Sequence, residues 1–104
     1  MVPEIKNNLD RIIEACKKMQ VKSLYVFGSA ARGNDYTKES DIDLLYTMFT
    51  GDNGLTVGKY DYFDLWFTLE DITGRKIDLV AEKGIRNKYF LKSIMENRQK
   101  IYEA

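Results

Sequence analysis

VFGSAARGNDYTKESDIDLL, residues 26–45, is the stretch from which the rest of the sequence can be read. The β-formers Ser23-Leu24-Tyr25-Val26-Phe27 run into Gly28, which predicts a strand ending in a turn. Ser29-Ala30-Ala31-Arg32 reads as a short helical turn closed by Gly33, and residues 34–40 read as a polar loop. Asp41 to Tyr46 is then a second strand. Side chains alternate across a strand, so Asp41 and Asp43 share one face while Ile42 and Leu44 share the other.

The same pattern returns at Arg75-Lys76-Ile77-Asp78-Leu79-Val80, a third strand with Asp78 on the face opposite Ile77 and Leu79. If these strands are neighbours and helices cover the apolar face, Asp41, Asp43 and Asp78 meet on the open face. Like charges brought together raise each other's proton affinity, and a cation relieves the repulsion. Hard oxygen donors on rigid strands suit magnesium, which takes one or two carboxylates and completes its shell with water and substrate phosphates. Two such ions, about 3.5–4 Å apart, clamp the attacking and leaving oxygens of a phosphoryl or nucleotidyl transfer. The turn before them suits the same chemistry. Gly28 lets backbone approach an anion, and the N–H groups that follow, with the Ser29 hydroxyl, make a phosphate cradle. Arg32 lies one turn along, within reach of phosphate oxygens or of a loop carboxylate. Lys76 shares the face of Asp78 and is read first as a local ion-pair residue.

Taken singly, each of these features is ordinary. A glycine after a strand is usually a turn, a D-x-D is often a strand edge, and a lone arginine is usually a surface ion pair. Their agreement in strand phase is what makes them a candidate site. Neighbouring motifs do not account for them. Asn34-Asp35 stand where a Walker A loop needs Lys and Ser/Thr, and Ala30 replaces the middle glycine of a Rossmann fingerprint. Leu45 follows where an EF-hand loop would place a third oxygen ligand.

Outward from this stretch, Ile5, Leu9, Ile12, Ile13 and Cys16 recur at helical spacing and predict a helix over 3–18, opened by Pro3. Cys16 sits on the apolar stripe as a small buried hydrophobe. Phe49 to Gly58 is a glycine-rich connection. A second helix follows over 59–73 on the stripe Phe63, Trp66, Phe67, Leu69 and Ile72, with Gly74 as its cap. Ala81–Gly84 turns the chain into a third helix over 85–102, packing through Tyr89, Phe90, Ile94, Met95 and Ile101. The order predicts an α/β (α+β) fold with a small sheet of three or more strands.

With 104 residues, one domain over 1–104 is expected. A formal net charge of +0 gives no global pull toward nucleic acid or an anionic membrane. The single cysteine excludes an internal disulfide, and the absence of histidine excludes imidazole acid–base chemistry and His-based zinc sites. No apolar run reaches the roughly 20 residues of a membrane span, and no leader pattern opens the sequence. The cytoplasm is the expected compartment.

Gly28-Ser29, Ala31-Arg32-Gly33, Ser40-Asp41-Ile42-Asp43-Leu44 and Arg75-Lys76-Ile77-Asp78-Leu79-Val80 together resemble the DNA polymerase beta-like nucleotidyltransferase superfamily, and most closely its minimal stand-alone group, the MNT domains of the MntA-like antitoxins. The resemblance spans most of the chain. It implies a mixed sheet with helices on one face. It implies that Asp41, Asp43 and Asp78 bind two magnesium ions, that Gly28-Ser29 hold the triphosphate of ATP, and that Asp78 also helps activate the acceptor hydroxyl. Attack in line on the α-phosphorus would expel pyrophosphate. Minimal members are often paired with a HEPN toxin, and transfer of AMP to a tyrosine of that toxin is the implied antitoxin activity. Eleven residues separate Ser29 from Asp41, which looks one longer than in the best-described antitoxin members and puts the extra residue in the loop over 34–39.

Two other readings stand beside this one. A binding module would mask its partner by contact alone, and it would have no need of three aspartates in phase. Transfer to a small molecule such as an aminoglycoside would call for a homodimer, because the chain is too short for an added acceptor domain.

Overall fold

The computed structural model describes residues 1–52 and 60–104. The elements in chain order are α1 (Pro3–Lys6), α2 (Leu9–Lys18), β1 (Val21–Phe27), α3 (Ser29–Arg32), β2 (Ile42–Met48), α4 (Tyr62–Thr73), β3 (Ile77–Ala81), a 3-10 turn (Glu82–Gly84), α5 (Lys88–Asn97) and β4 (Gln99–Glu103). The strands form one mixed sheet in the order β3-β2-β1-β4. The pairs β1–β2 and β1–β4 run antiparallel, whereas β2–β3 runs parallel.

The first helix expected over 3–18 is two helices. Pro3 opens α1 as expected, but the Asn8 side-chain amide donates to the Glu4 carbonyl (2.8 Å) and competes with the helix ladder, so the chain breaks at Asn7-Asn8 before α2 begins. Helix α4 starts at Tyr62 because Asp61 and Asp64 form a reciprocal cap. The Asp61 carboxylate accepts the Asp64 N–H (3.0 Å) and the Asp64 carboxylate accepts the Asp61 N–H (2.9 Å). Gly74, with φ of +69°, ends α4 as expected. The connection read over 49–58 falls outside the described residues from position 53 onward, as does Lys59, where the sequence places the start of this helix.

The largest difference is at the end. The helix expected to run to Tyr102 stops at Asn97, Arg98 is extended, and Gln99–Glu103 adds a strand beside β1. Ile94 and Ile101 lie seven positions apart, a spacing that satisfies one helical face. Ile101 is instead an inward residue of an alternating strand.

Alternation along the central strands divides the apolar residues into two layers. Leu24, Val26, Ile42, Leu44 and Leu79 face the main core, which Ile5, Ile12, Cys16, Leu65 and Leu69 complete from α1, α2 and α4. On the opposite face, Phe27 and Leu45 are buried beneath Ile94 of α5, with Tyr25, Val80 and Ile85 packed around them. Helices α1, α2 and α4 therefore lie on one face as expected, and α5 alone crosses to the other. Cys16 is fully buried and burial pushes its thiol up to about 12, consistent with an inert packing role. Among the described residues no helix is long and apolar enough to cross a membrane.

The assignment of β4 has a direct consequence for stability. Ile101 is buried in the main core while Met95 is 38% exposed. Ile101→Ala is expected to destabilise by about 2–4 kcal/mol and Met95→Ala by less than about 0.5 kcal/mol in urea denaturation; a helix running to Tyr102 would make the two losses similar.

Candidate active site

Strand β1 ends at Phe27, and Gly28 turns the chain with φ of +68°, a conformation that favours glycine. Its missing side chain matters a second time: a Cβ there would lie 2.5 Å from Oδ2 of Asp43. The turn backbone and this carboxylate are thus in direct contact. The short α3 that follows is seated by the core, since Ala30 and Ala31 are buried and the Val2 N–H donates to the Ala30 carbonyl (3.1 Å). Ser29 is its first residue and half-buried.

The sheet register assembles the acids. Antiparallel pairing sets Phe27 opposite Asp43, and parallel pairing sets Asp43 opposite Asp78. Asp43 is half-buried, while Asp41 and Asp78 are exposed. Burial, then the neighbouring charge of Asp78, then that of Asp41, push the Asp43 carboxyl up to about 6, and Arg32 pulls in the opposite direction. Asp41 stands just before β2, where the Ile42 N–H donates to the Lys76 carbonyl (2.9 Å). Asp43 and Asp78 are side by side, and Asp41 acts on Asp43 through its charge from the strand's entrance.

Among the described residues no three His, Cys, Asp or Glu side chains stand ready-made as a metal-holding group. The donor set nevertheless fits a hard divalent cation. It is all carboxylate oxygen, its central member carries a raised proton affinity, and magnesium takes only one or two carboxylates when substrate phosphates supply the rest.

Arg32 pairs with Asp35, its Nη2 lying 2.7 Å from Oδ2, at a site half exposed to solvent. A solvent-exposed pair of this kind is weak, so a phosphate can replace the aspartate. A cleft of about 220 Å3 lies between Gly28, Arg32, Asp43 and Phe27 on one side and Phe90, Ser93, Ile94 and Asn97 of α5 on the other. A larger cavity of about 620 Å3 sits at the far end of the β1–β2 ladder, around Ser23, Tyr25, Thr47 and Arg98, and holds none of the six candidate residues. Size does not identify the site here; the carboxylates do.

Two contributions escape the sequence pattern. The first is the α5 wall, whose residues 90, 93, 94 and 97 share one helical face. The second is Arg75. Its Nη2 donates to the carbonyls of Thr37 (2.8 Å), Lys38 (3.1 Å) and Ser40 (2.6 Å), and its Nη1 donates to Glu4. Its guanidinium lies 4.6 Å from the centre of the Tyr36 ring, whose hydroxyl also donates to Glu4 (3.0 Å). The loop over 34–40 is therefore strapped down immediately before it delivers Asp41. On the far side, the Trp66 indole N–H donates to the Ile77 carbonyl (2.8 Å) and the Glu70 carboxylate accepts the Ile77 N–H (3.0 Å), which fixes the strand that delivers Asp78.

A glycine turn pressed against paired carboxylates on a mixed sheet is the arrangement of a nucleotidyltransferase. The chain belongs to the nucleotidyltransferase domain family, whose model matches residues 9–101. It is 39% identical over 97 residues to a Methanocaldococcus jannaschii protein named "Putative protein adenylyltransferase", covering 92% of this chain and 93% of that one. Its fold is shared with a solved "putative minimal nucleotidyltransferase" (TM-score 0.70, 24% identity, 91% and 90% of the two chains). The fold is shared as well with a chain from the complex of a tri-AMPylated Shewanella oneidensis HEPN toxin and its MNT antitoxin (TM-score 0.60, 16% identity, 95% and 72% of the two chains).

Two measurements check the site's electrostatics. In chelator, Asp43→Asn is expected to stabilise the protein by about 1–2 kcal/mol above pH 6.5, after solvent screening at a half-buried position. The sign follows from a folded value near 6 lying above the ordinary 3.8: the ionised group is the unfavoured one, so the gain shrinks as pH falls from 6 and vanishes below about 3.8. Thermal melts from pH 3.5 to 8 follow this. Arg75→Ala is expected to cost about 2–4 kcal/mol in urea denaturation, with Arg75→Lys recovering less than half, because an ammonium cannot reproduce the fork.

Proposed function

We propose that this nucleotidyltransferase transfers AMP from ATP to a tyrosine hydroxyl of a HEPN toxin and acts as the antitoxin of that pair in the cytoplasm. The observation that carries the proposal is the contact between the Gly28 turn and Asp43, which itself stands opposite Asp78. The name of the archaeal relative and the complex whose toxin carries AMP support the choice of nucleotide and acceptor.

In this reading Gly28 and Ser29 hold the triphosphate, and Arg32 leaves Asp35 for a phosphate oxygen. Asp41, Asp43 and Asp78 would hold two magnesium ions. When bound, the ions neutralise the carboxylates and stabilise charge on the phosphoryl oxygens. The acceptor oxygen forms its bond to the α-phosphorus as the bond from that phosphorus to the pyrophosphate oxygen breaks. The hydroxyl proton passes to Asp78, the exposed carboxylate of the pair, and pyrophosphate leaves. Asp43, half-buried and hemmed in by Gly28, holds position and does not swing.

Contact alone is the competing reading. Phe63 and Phe67 on α4, 58% and 60% exposed, offer an apolar surface that a masking module would use.

Incubation with α-labelled ATP, magnesium and the HEPN partner separates the two. Label on the partner is expected, and Asp41→Ala, Asp43→Ala and Asp78→Ala should each reduce it by more than the roughly 10–100-fold that outer-shell partners of a metal cost. Full inhibition of the toxin by all three variants, with no label transferred, would establish contact as the mechanism.

A further inference from the structure

Helix α5 faces the candidate site with a stripe that differs from the rest of its surface. Phe90, Ser93, Ile94 and Asn97 follow one another at helical spacing and together line the cleft that Gly28, Arg32 and Asp43 close from the other side. Ile94 is anchored in the second core beneath, so the helix is fixed in rotation. Phe90 is 46% exposed, yet its ring is held by an edge-to-face contact with Phe27 (6.2 Å between centroids, 75° between planes). Phe27 in turn is the strand partner of Asp43. A rigid aromatic surface is therefore tied directly to the carboxylate centre. The Asn97 amide nitrogen donates to the Ser93 carbonyl (2.9 Å), which leaves its Oδ1 to accept from a ligand. All four side chains are uncharged, in contrast to the arginine and acids opposite.

The volume fits a division of labour. About 220 Å3 is below the roughly 300–1,000 Å3 of pockets that enclose a whole ligand of drug size. A nucleoside triphosphate would occupy it only in part, with its phosphates on the charged side.

We propose that this face of α5 is the nucleoside wall of the site, with Phe90 stacking on the base and the side-chain oxygen of Asn97 accepting a hydrogen bond from the nucleoside. The proposal rests on the nucleotide reading given above and adds to it what selects the nucleoside half. Stacking on an aromatic ring tolerates every base, so adenine and guanine nucleotides should both depend on Phe90.

Binding of a non-hydrolysable ATP analogue and of inorganic tripolyphosphate, each with magnesium, tests the wall by titration calorimetry. Phe90→Ala is expected to weaken the analogue roughly 5- to 150-fold, the range of a lost base–aromatic stack. Phe90→Tyr should retain it, and tripolyphosphate affinity should not change in either variant. Phe90→Leu keeps apolar bulk against Phe27 and loses the stack, so the comparison stands where the alanine variant unfolds. Equal analogue affinity in wild type and in both Phe90→Ala and Phe90→Leu would overturn the wall while leaving the nucleotide site intact. A parallel loss of tripolyphosphate affinity would also overturn it, by making Phe90 a structural support. Failure of the wild type to bind either ligand would remove the nucleotide site and the wall together.

Discussion

Asp43 and Asp78 face each other across a parallel seam, with a third acid nearby and a glycine turn pressed against the first. This is an unfavourable arrangement that the rest of the fold is built to hold. Asp43 is partly removed from water beside a like charge, and its raised proton affinity records the cost. Nothing in a sheet of this size requires such a pair for stability. A cation would neutralise it, the role proposed above for magnesium.

The supports are arranged so that the acids cannot easily move apart. The main core fixes β1 and β2 from one side, and Ile94 seated over Phe27 and Leu45 fixes them from the other. Arg75 gathers three carbonyls of the loop that leads to Asp41 and ties them to α1, while Trp66 and Glu70 tie the start of β3 to α4. Positioning on rigid strands, backed by a second layer of hydrogen bonds, is what a transfer reaction driven by geometry and electrostatics requires.

Alternation of side chains makes the phase of Asp43 and Asp78 readable in the sequence itself, and the same simple rule predicts the inward residues of β1, β2 and β3. The caps at Pro3 and Gly74 are readable because their backbone demands are local. Four features are not. Strand β4 is hidden because Ile94 and Ile101 satisfy a helical period as well as a helix followed by an alternating strand. The break at Asn7-Asn8 turns on a competition between one side chain and the helix ladder, which periodicity does not weigh. Arg75 acts on backbone carbonyls 35 to 38 positions away, and no side-chain pattern in the sequence marks those partners. The α5 face escapes for a related reason: its role comes from what stands opposite it, and in the sequence Phe90 and Ile94 read only as packing residues of a helix.

A centre of this kind moves a nucleoside monophosphate and releases pyrophosphate, and the fate of each phosphate tests that directly. ATP labelled at the α-phosphate and ATP labelled at the γ-phosphate are each incubated with the protein, magnesium and the proposed HEPN partner. The α label is expected to become covalently attached to the partner, while the γ label appears only in pyrophosphate. Attachment of γ label, or an absence of both labels from a partner that is nonetheless inhibited, would contradict nucleotidyl transfer at this site.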